Sequence, residues 1–392
     1  MPARHTLSCV DPIDRANELL ERYAALALAE LPGDTTIFDA HTHLGNDIDG
    51  MVGDRDELLQ IQRAYGISRS FVFCLDEPDR KPAFSAANDR SLAHAAAAPG
   101  ELLPFVRLDL DDRPVEEATR CLDLGARGIK LHPRAQRFLP DDPRLEPVFE
   151  LAAERRVPIL IHGGRGLPPI ADSLAGLLDR HCPPALIVAH AGIVDLAAMA
   201  ENFAGRAGVF FDTSVWSPVD LLSFFHLVAP EQVLYASDYP YARPPSSLLN
   251  ALRTARTSGF DDDQIRDMLA GNADRISRGE DPRQPSAPIG DGTFKQPMTL
   301  ARIHQYVSMA TPLLWMSQPD SIGIIGLALN ATEERNGYPE DLDRIRELLT
   351  AARDLWRVFP EIEEEDRADV ARATRHLVHL ADIYAVTSGA EA

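Results

Sequence analysis

The sequence predicts an α/β protein built on a (β/α)8 TIM barrel with an additional C-terminal helical region, and three observations carry that expectation. Eight short apolar runs recur between residues 37 and 236, and most are continuous rather than alternating, as parallel strands covered on both faces require. Segments with helical patterning lie between the runs, and each connection is long enough for the crossover that parallel strands demand. The eight units fit within roughly 250 residues, the usual extent of such a barrel. An open, doubly wound sheet is the alternative assembly of the same elements.

Taken in order, residues 12–31 put Ala16, Leu19, Leu20, Tyr23, Leu26 and Ala27 on one side of a helix that Pro32-Gly33 ends. The first strand is Ile37-Phe38-Asp39-Ala40-His41-Thr42-His43, broken by Leu44-Gly45-Asn46-Asp47. The further runs are 70–75, 102–108, 128–131, 158–161, 185–188, 208–211 and 232–236, with helices expected at 55–65, 88–97, 115–124, 145–155 and 219–227. Residues 246–258 and 261–270 read as closing helices. A Pro/Gly-rich stretch, 279–292, then reads as a linker. Helices at 298–315, 342–358 and 366–386, with an apolar segment at 322–329, complete the chain. The domain expectation is therefore a barrel over 1–278, a linker over 279–296 and a helical module over 297–392.

Composition narrows the partners. A formal net charge of -21 repels phosphate backbones and anionic bilayers, which argues against nucleic acid and membrane surfaces while leaving a small anionic substrate open. No apolar run is long enough to cross a bilayer, and the opening Met1-Pro2-Ala3-Arg4-His5 leads to no signal-like core. Cys9, Cys74, Cys121 and Cys182 lack the paired spacing of a zinc knuckle or redox motif. Together these features predict a cytoplasmic protein with reduced cysteines, and a homodimer is compatible with them.

The chemistry is expected where the histidines fall. On an extended strand His41 and His43 point to the same side and are able to grip one ion. His162 closes the fifth run, His190 the sixth and Asp238 the eighth, while the fourth ends in Lys130-Leu131-His132. Five of the twelve histidines thus sit at four strand ends, and a parallel barrel does its chemistry at the carboxyl ends of its strands. Imidazoles with one carboxylate make an open metal site, leaving a position for water.

These motifs, together with Gly271-Asn272-Ala273, give residues 36–276 a sequence that resembles the amidohydrolase superfamily. Within it, the chain is similar to the amidohydrolase-related branch of metal-dependent hydrolases and aminocarboxymuconate semialdehyde and resorcylate decarboxylases. The resemblance implies one divalent ion, zinc first with manganese or iron as substitutes, held by His41, His43, His162 and Asp238. It makes His190 a catalytic acid/base or the ligand of a second ion. Lys130 is then a carbamate bridging two metals, an ammonium holding an anionic substrate group, or half of a structural ion pair. His132 is a substrate contact or a capped loop residue.

Arg107, Arg134, Arg165, Trp216, Tyr239 and Arg243 are further substrate-binding candidates, arginine being the usual fork for a carboxylate. Gly163-Gly164-Arg165-Gly166 follows no nucleotide-binding spacing and reads as a flexible substrate loop. His376 and His379, with no carboxylate or cysteine arranged nearby, read as satisfied or exposed side chains rather than ligands. Three functions fit: a hydrolase of a small amide, lactone or ester through Asp238 and His190; a non-oxidative decarboxylase of an aromatic or unsaturated acid; or a non-enzymatic barrel whose helical part binds a partner. An open ligand set has little structural value, which disfavours the third.

Overall fold

The computed structural model describes residues 11–290, 293–334 and 337–390. Cys9 and the opening residues, and positions 291–292 of the expected linker, lie outside the described residues. The described residues form two units, those within 31–293 and those within 11–30 and 294–390.

In the first unit eight parallel strands follow one another in space as they do in sequence. They are β1 (Ile37–Asn46), β2 (Ile67–Cys74), β3 (Leu102–Arg107), β4 (Gly128–Leu131), β5 (Ile159–Ile161), β6 (Leu186–Val188), β7 (Val209–Asp212) and β8 (Val233–Leu234). The ring closes where the end of β8 meets β1. Ala40 N–H donates to Tyr235 O at 2.9 Å, His43 N–H to Tyr239 O at 2.7 Å, and Asp238 N–H to His41 O at 3.0 Å. A closed ring leaves no sheet edge unpaired, and it turns the strand ends toward one axis.

The interior is filled by Phe38, Phe71, Phe105, Leu160, Ile187, Phe210 and Leu234, all buried. Their rings interlock, Phe38 on Phe71 at 4.7 Å and Phe71 on Phe105 at 4.6 Å between centroids. Burying side chains of this size contributes about 1.5–3 kcal/mol each. Local signals set the crossovers: Asp54 accepts from Glu57 N–H to start the helix Arg55–Tyr65, and Gly66, at φ 68, ends it.

The second unit contains the helices Met298–Trp315, Ser321–Ala331, Pro339–Val358 and Arg367–Thr387, and also the first helix, Pro12–Ala29. The expected barrel boundary at residue 1 is corrected by this assignment. Tyr23 packs edge-on against Tyr384 at 5.7 Å, and Arg15 and Arg22 both pair with Glu347, so the amphipathic face read from the sequence serves the helical unit. The apolar segment 322–329 is itself helical. Among the described residues no helix is long and apolar enough to cross a membrane.

Candidate active site

The strand ends gather around a cavity of about 680 Å³ lined by His41, His43, Lys130, His132, His162, His190 and Asp238 among others. The β1 strand slips register by one residue against β2 between Asp39 and Thr42, a bulge that sits beside the two histidines. Their Nε2 atoms lie 3.1 Å apart. Asp238 comes to them from beyond β8, its Oδ1 3.4 Å from His41 Nε2 and 3.3 Å from His43 Nε2. Buried Asp39 fixes this junction, accepting from His41 N–H at 3.2 Å and Ser237 N–H at 2.9 Å. Burial pushes the Asp39 carboxyl up to about 7.

Backbone strain marks two of these residues. His190 has φ 56 and Asp238 φ 62, a left-handed conformation that non-glycine residues rarely adopt. Gly164 explains part of the crowding: a Cβ there meets His190 Cδ2 at 2.8 Å and His162 Cε1 at 2.9 Å. The glycine run expected to be a flexible loop therefore holds at least one position demanded by packing.

Burial dominates the electrostatics. It holds His41, His43, His132 and His162 well below the ordinary histidine range, with neighbouring positive groups acting in the same direction. Burial also lowers His190, against the opposing pull of Asp212. Lys130 is fully buried, and that burial brings it down to about 7. Its Nζ stands 3.3 Å from His41 Nε2 and 4.4 Å over the Phe73 ring. Asp238 is raised well above the usual carboxylate range by burial, with the Lys130 charge opposing.

The donor set fits a divalent cation. Asp212 Oδ2 lies 2.7 Å from His41 Nδ1, and a carboxylate only accepts, so His41 carries its proton there and keeps a lone pair on Nε2. The Ser214 carbonyl, 2.8 Å from His190 Nδ1, sets the same tautomer in His190. Ligand atoms of His41, His190 and Asp238 all lie within 4.8 Å of one another. Neutral imidazoles with inward lone pairs beside a carboxylate are what such an ion takes. Among the described residues, buried His43 Nδ1 and His162 Nε2 have no hydrogen-bond partner.

His162, expected as the fourth ligand, meets this group through His190, whose Nε2 is 3.0 Å from His162 Nδ1. Its ring stacks on His132 at 4.0 Å, and His132 Nδ1 accepts from Ala135 N–H at 3.3 Å. Lys130, His132, Arg107 and Arg134 line the cavity as substrate contacts need to. Arg165, Trp216 and Arg243 are not on its wall. Arg165 is 74% exposed and paired with Asp220 at 2.5 Å. Trp216 is half-buried elsewhere. Arg243 is held at 2.6 Å by Glu57, which also takes the Tyr239 hydroxyl at 2.6 Å. Sequence reading missed Asp212, although it closes β7 with the same signature, an apolar run ending in a carboxylate, that singled out Asp238.

A family model described as amidohydrolase matches residues 38–278. No curated protein matches the sequence. Among solved structures, a probable 2-pyrone-4,6-dicarboxylic acid hydrolase from Acinetobacter baumannii is similar at 11% identity with a TM-score of 0.50, over 62% of this chain and 99% of that one. A 2,6-dihydroxybenzoate decarboxylase is similar at 17% identity and TM-score 0.48, over 62% of this chain and 99% of that one. A 5-carboxyvanillate decarboxylase from Sphingomonas paucimobilis has 16% identity and TM-score 0.49, with 62% and 99% covered.

Proposed function

From the premise that the chain belongs to the amidohydrolase family, we propose that it is a metal-dependent hydrolase of a small amide, lactone or ester. One observation carries the reading: His41, His43 and Asp238 stand 3.1–3.4 Å from one another at the wall of a cavity large enough for a small molecule. His41, His43 and Asp238 would hold the ion, completed by His162 or His190. When bound, the ion, zinc by preference, lowers the pKa of the water beside it to roughly 7.

The protein's own groups do the rest. Asp238, raised by burial, takes the proton from the attacking water. His190, neutral and with Nδ1–H tied to the Ser214 carbonyl, presents its Nε2 lone pair and relays that proton to the leaving group. Arg107, 2% exposed, gives one N–H to Cys74 O at 3.2 Å and has a buried Nε without a hydrogen-bond partner. With Lys130 in the adjacent register position of β4, it supplies two buried basic groups suited to a substrate carboxylate, Asp76 standing 3.9 Å from the guanidinium. The same pair favours a second reading, non-oxidative decarboxylation of an aromatic or unsaturated acid, in which it orients the carboxylate that leaves as carbon dioxide.

Metal analysis of the purified protein, followed by a panel of amides, esters, lactones and benzoic acids assayed for acid release and for carbon dioxide release, tests both. Acid release dependent on a bound divalent ion is expected. Carbon dioxide release alone moves the assignment to the decarboxylase, and protein that neither retains nor takes up zinc, manganese or iron overturns both readings.

A further inference from the structure

The two histidines whose inward lone pairs make the site lie on different strands, His41 on β1 and His190 beyond β6. One side chain touches both. Asp212, at the end of β7 and fully buried, directs Oδ2 to His41 Nδ1 at 2.7 Å and Oδ1 to the His190 backbone N–H at 2.8 Å. The same Oδ1 accepts from Ser214 N–H at 3.1 Å and from the Ser214 hydroxyl. That hydroxyl, its proton given to Asp212, turns a lone pair to His190 Nδ1 at 2.9 Å, beside the Ser214 carbonyl at 2.8 Å.

We propose that Asp212 is the positioning residue of this site, one carboxylate that sets the Nδ1–H tautomer of His41 directly and that of His190 through Ser214, so both Nε2 lone pairs face the cavity. The proposal rests on the metal-site reading above only for its purpose; the hydrogen bonding stands without it. Three details support a dedicated role. Both carboxylate oxygens are used, Oδ1 by three donors and Oδ2 by His41 Nδ1, and every partner is a donor. Its hold on His190 N–H falls on a backbone in the left-handed region, which needs outside support to persist. Finally, an imidazole freed from a fixed acceptor distributes its proton between two nitrogens, and the wrong tautomer points N–H at the cation.

Asp212 is not on the cavity wall, so its effect is read in the histidines. Nitrogen-15 spectra of metal-free wild-type protein, with His41 and His190 assigned by single replacement, are expected to show both rings neutral with the proton on Nδ1. His41 protonated on Nε2 in that spectrum overturns the proposal without need of any variant. Asp212→Asn keeps the shape but offers an amide N–H toward His41 Nδ1, which forces the proton to Nε2. The His41 resonances are expected to switch accordingly, and zinc affinity measured by competition with a chelating dye is expected to fall about 10–100-fold. Ser214→Ala keeps the carbonyl and is expected to lose less than Asp212→Asn. A folded Asp212→Asn protein with unchanged tautomers and wild-type zinc affinity overturns the role. If Asp212→Asn does not fold, the wild-type spectrum decides. Wild-type protein with the expected tautomers but no uptake of zinc, manganese or iron supports the positioning role and sinks the metal-site reading, which keeps the two failures apart.

Discussion

At the barrel mouth five histidines, a lysine and an aspartate from five different strand ends border one cavity, while in the helical unit His304, His376 and His379 are carried by two helices. All three are largely buried, and His304 is met by a carboxylate of its own, Nδ1 lying 2.7 Å from Asp382 Oδ1. The residue types and the degree of burial are thus similar in the two places. Direction separates them. Strand ends in a closed ring aim at one axis, so groups distant in sequence share a cavity; helices turn successive side chains through about 100° and distribute them. Convergence, rather than a buried histidine as such, is what points to chemistry here.

The sharpest way to break that contrast is to remove one group from each place. Asp238→Ala takes away the proposed proton acceptor and the proposed ligand together, and kcat/KM is expected to fall about 10³-fold or more, with the circular dichroism spectrum unchanged. A loss of less than tenfold removes Asp238 from the chemistry. His304→Ala is expected to do the reverse. It leaves the Asp382 carboxylate buried without that partner, lowering stability in urea by about 1–3 kcal/mol while turnover stays within twofold. A turnover loss comparable to that of Asp238→Ala denies the helical unit its purely structural histidine. The smallest effect belongs to Arg165→Ala, where a surface pair worth about 0–1 kcal/mol is lost and KM is expected to move less than threefold. A tenfold rise in KM brings that loop back to the substrate.

Much of this contrast was legible in the sequence, for physical reasons that differ from residue to residue. Continuous apolar runs read as parallel strands because two covered faces leave no polar alternation, and β4 is found at Gly128–Leu131 where expected. His41, His43, His190 and Asp238 were visible because each ends or follows such a run. Asp212 escaped because its run was cut one residue short at Phe211, although the strand extends through it. Arg243 and Arg165 were named for a cation's chemistry, but spacing along the chain does not reveal whether Glu57 or Asp220 has already claimed that cation. The first helix was assigned to the barrel because it precedes it; its partners, Glu347 and Tyr384, come more than three hundred residues later, a separation no local pattern encodes.

The left-handed turns at positions 190 and 238 restrict which amino acids are able to replace these two. A β-branched or bulky side chain is penalised there by the main chain before its functional group is ever tried, whereas Gly, Asn, Asp and His are admitted more easily. The imidazole at 190 and the carboxylate at 238 belong to that tolerated set. Variation at these corners is therefore confined to a small set of side chains, and new specificities are expected to arise from cavity-wall residues such as Arg134 instead.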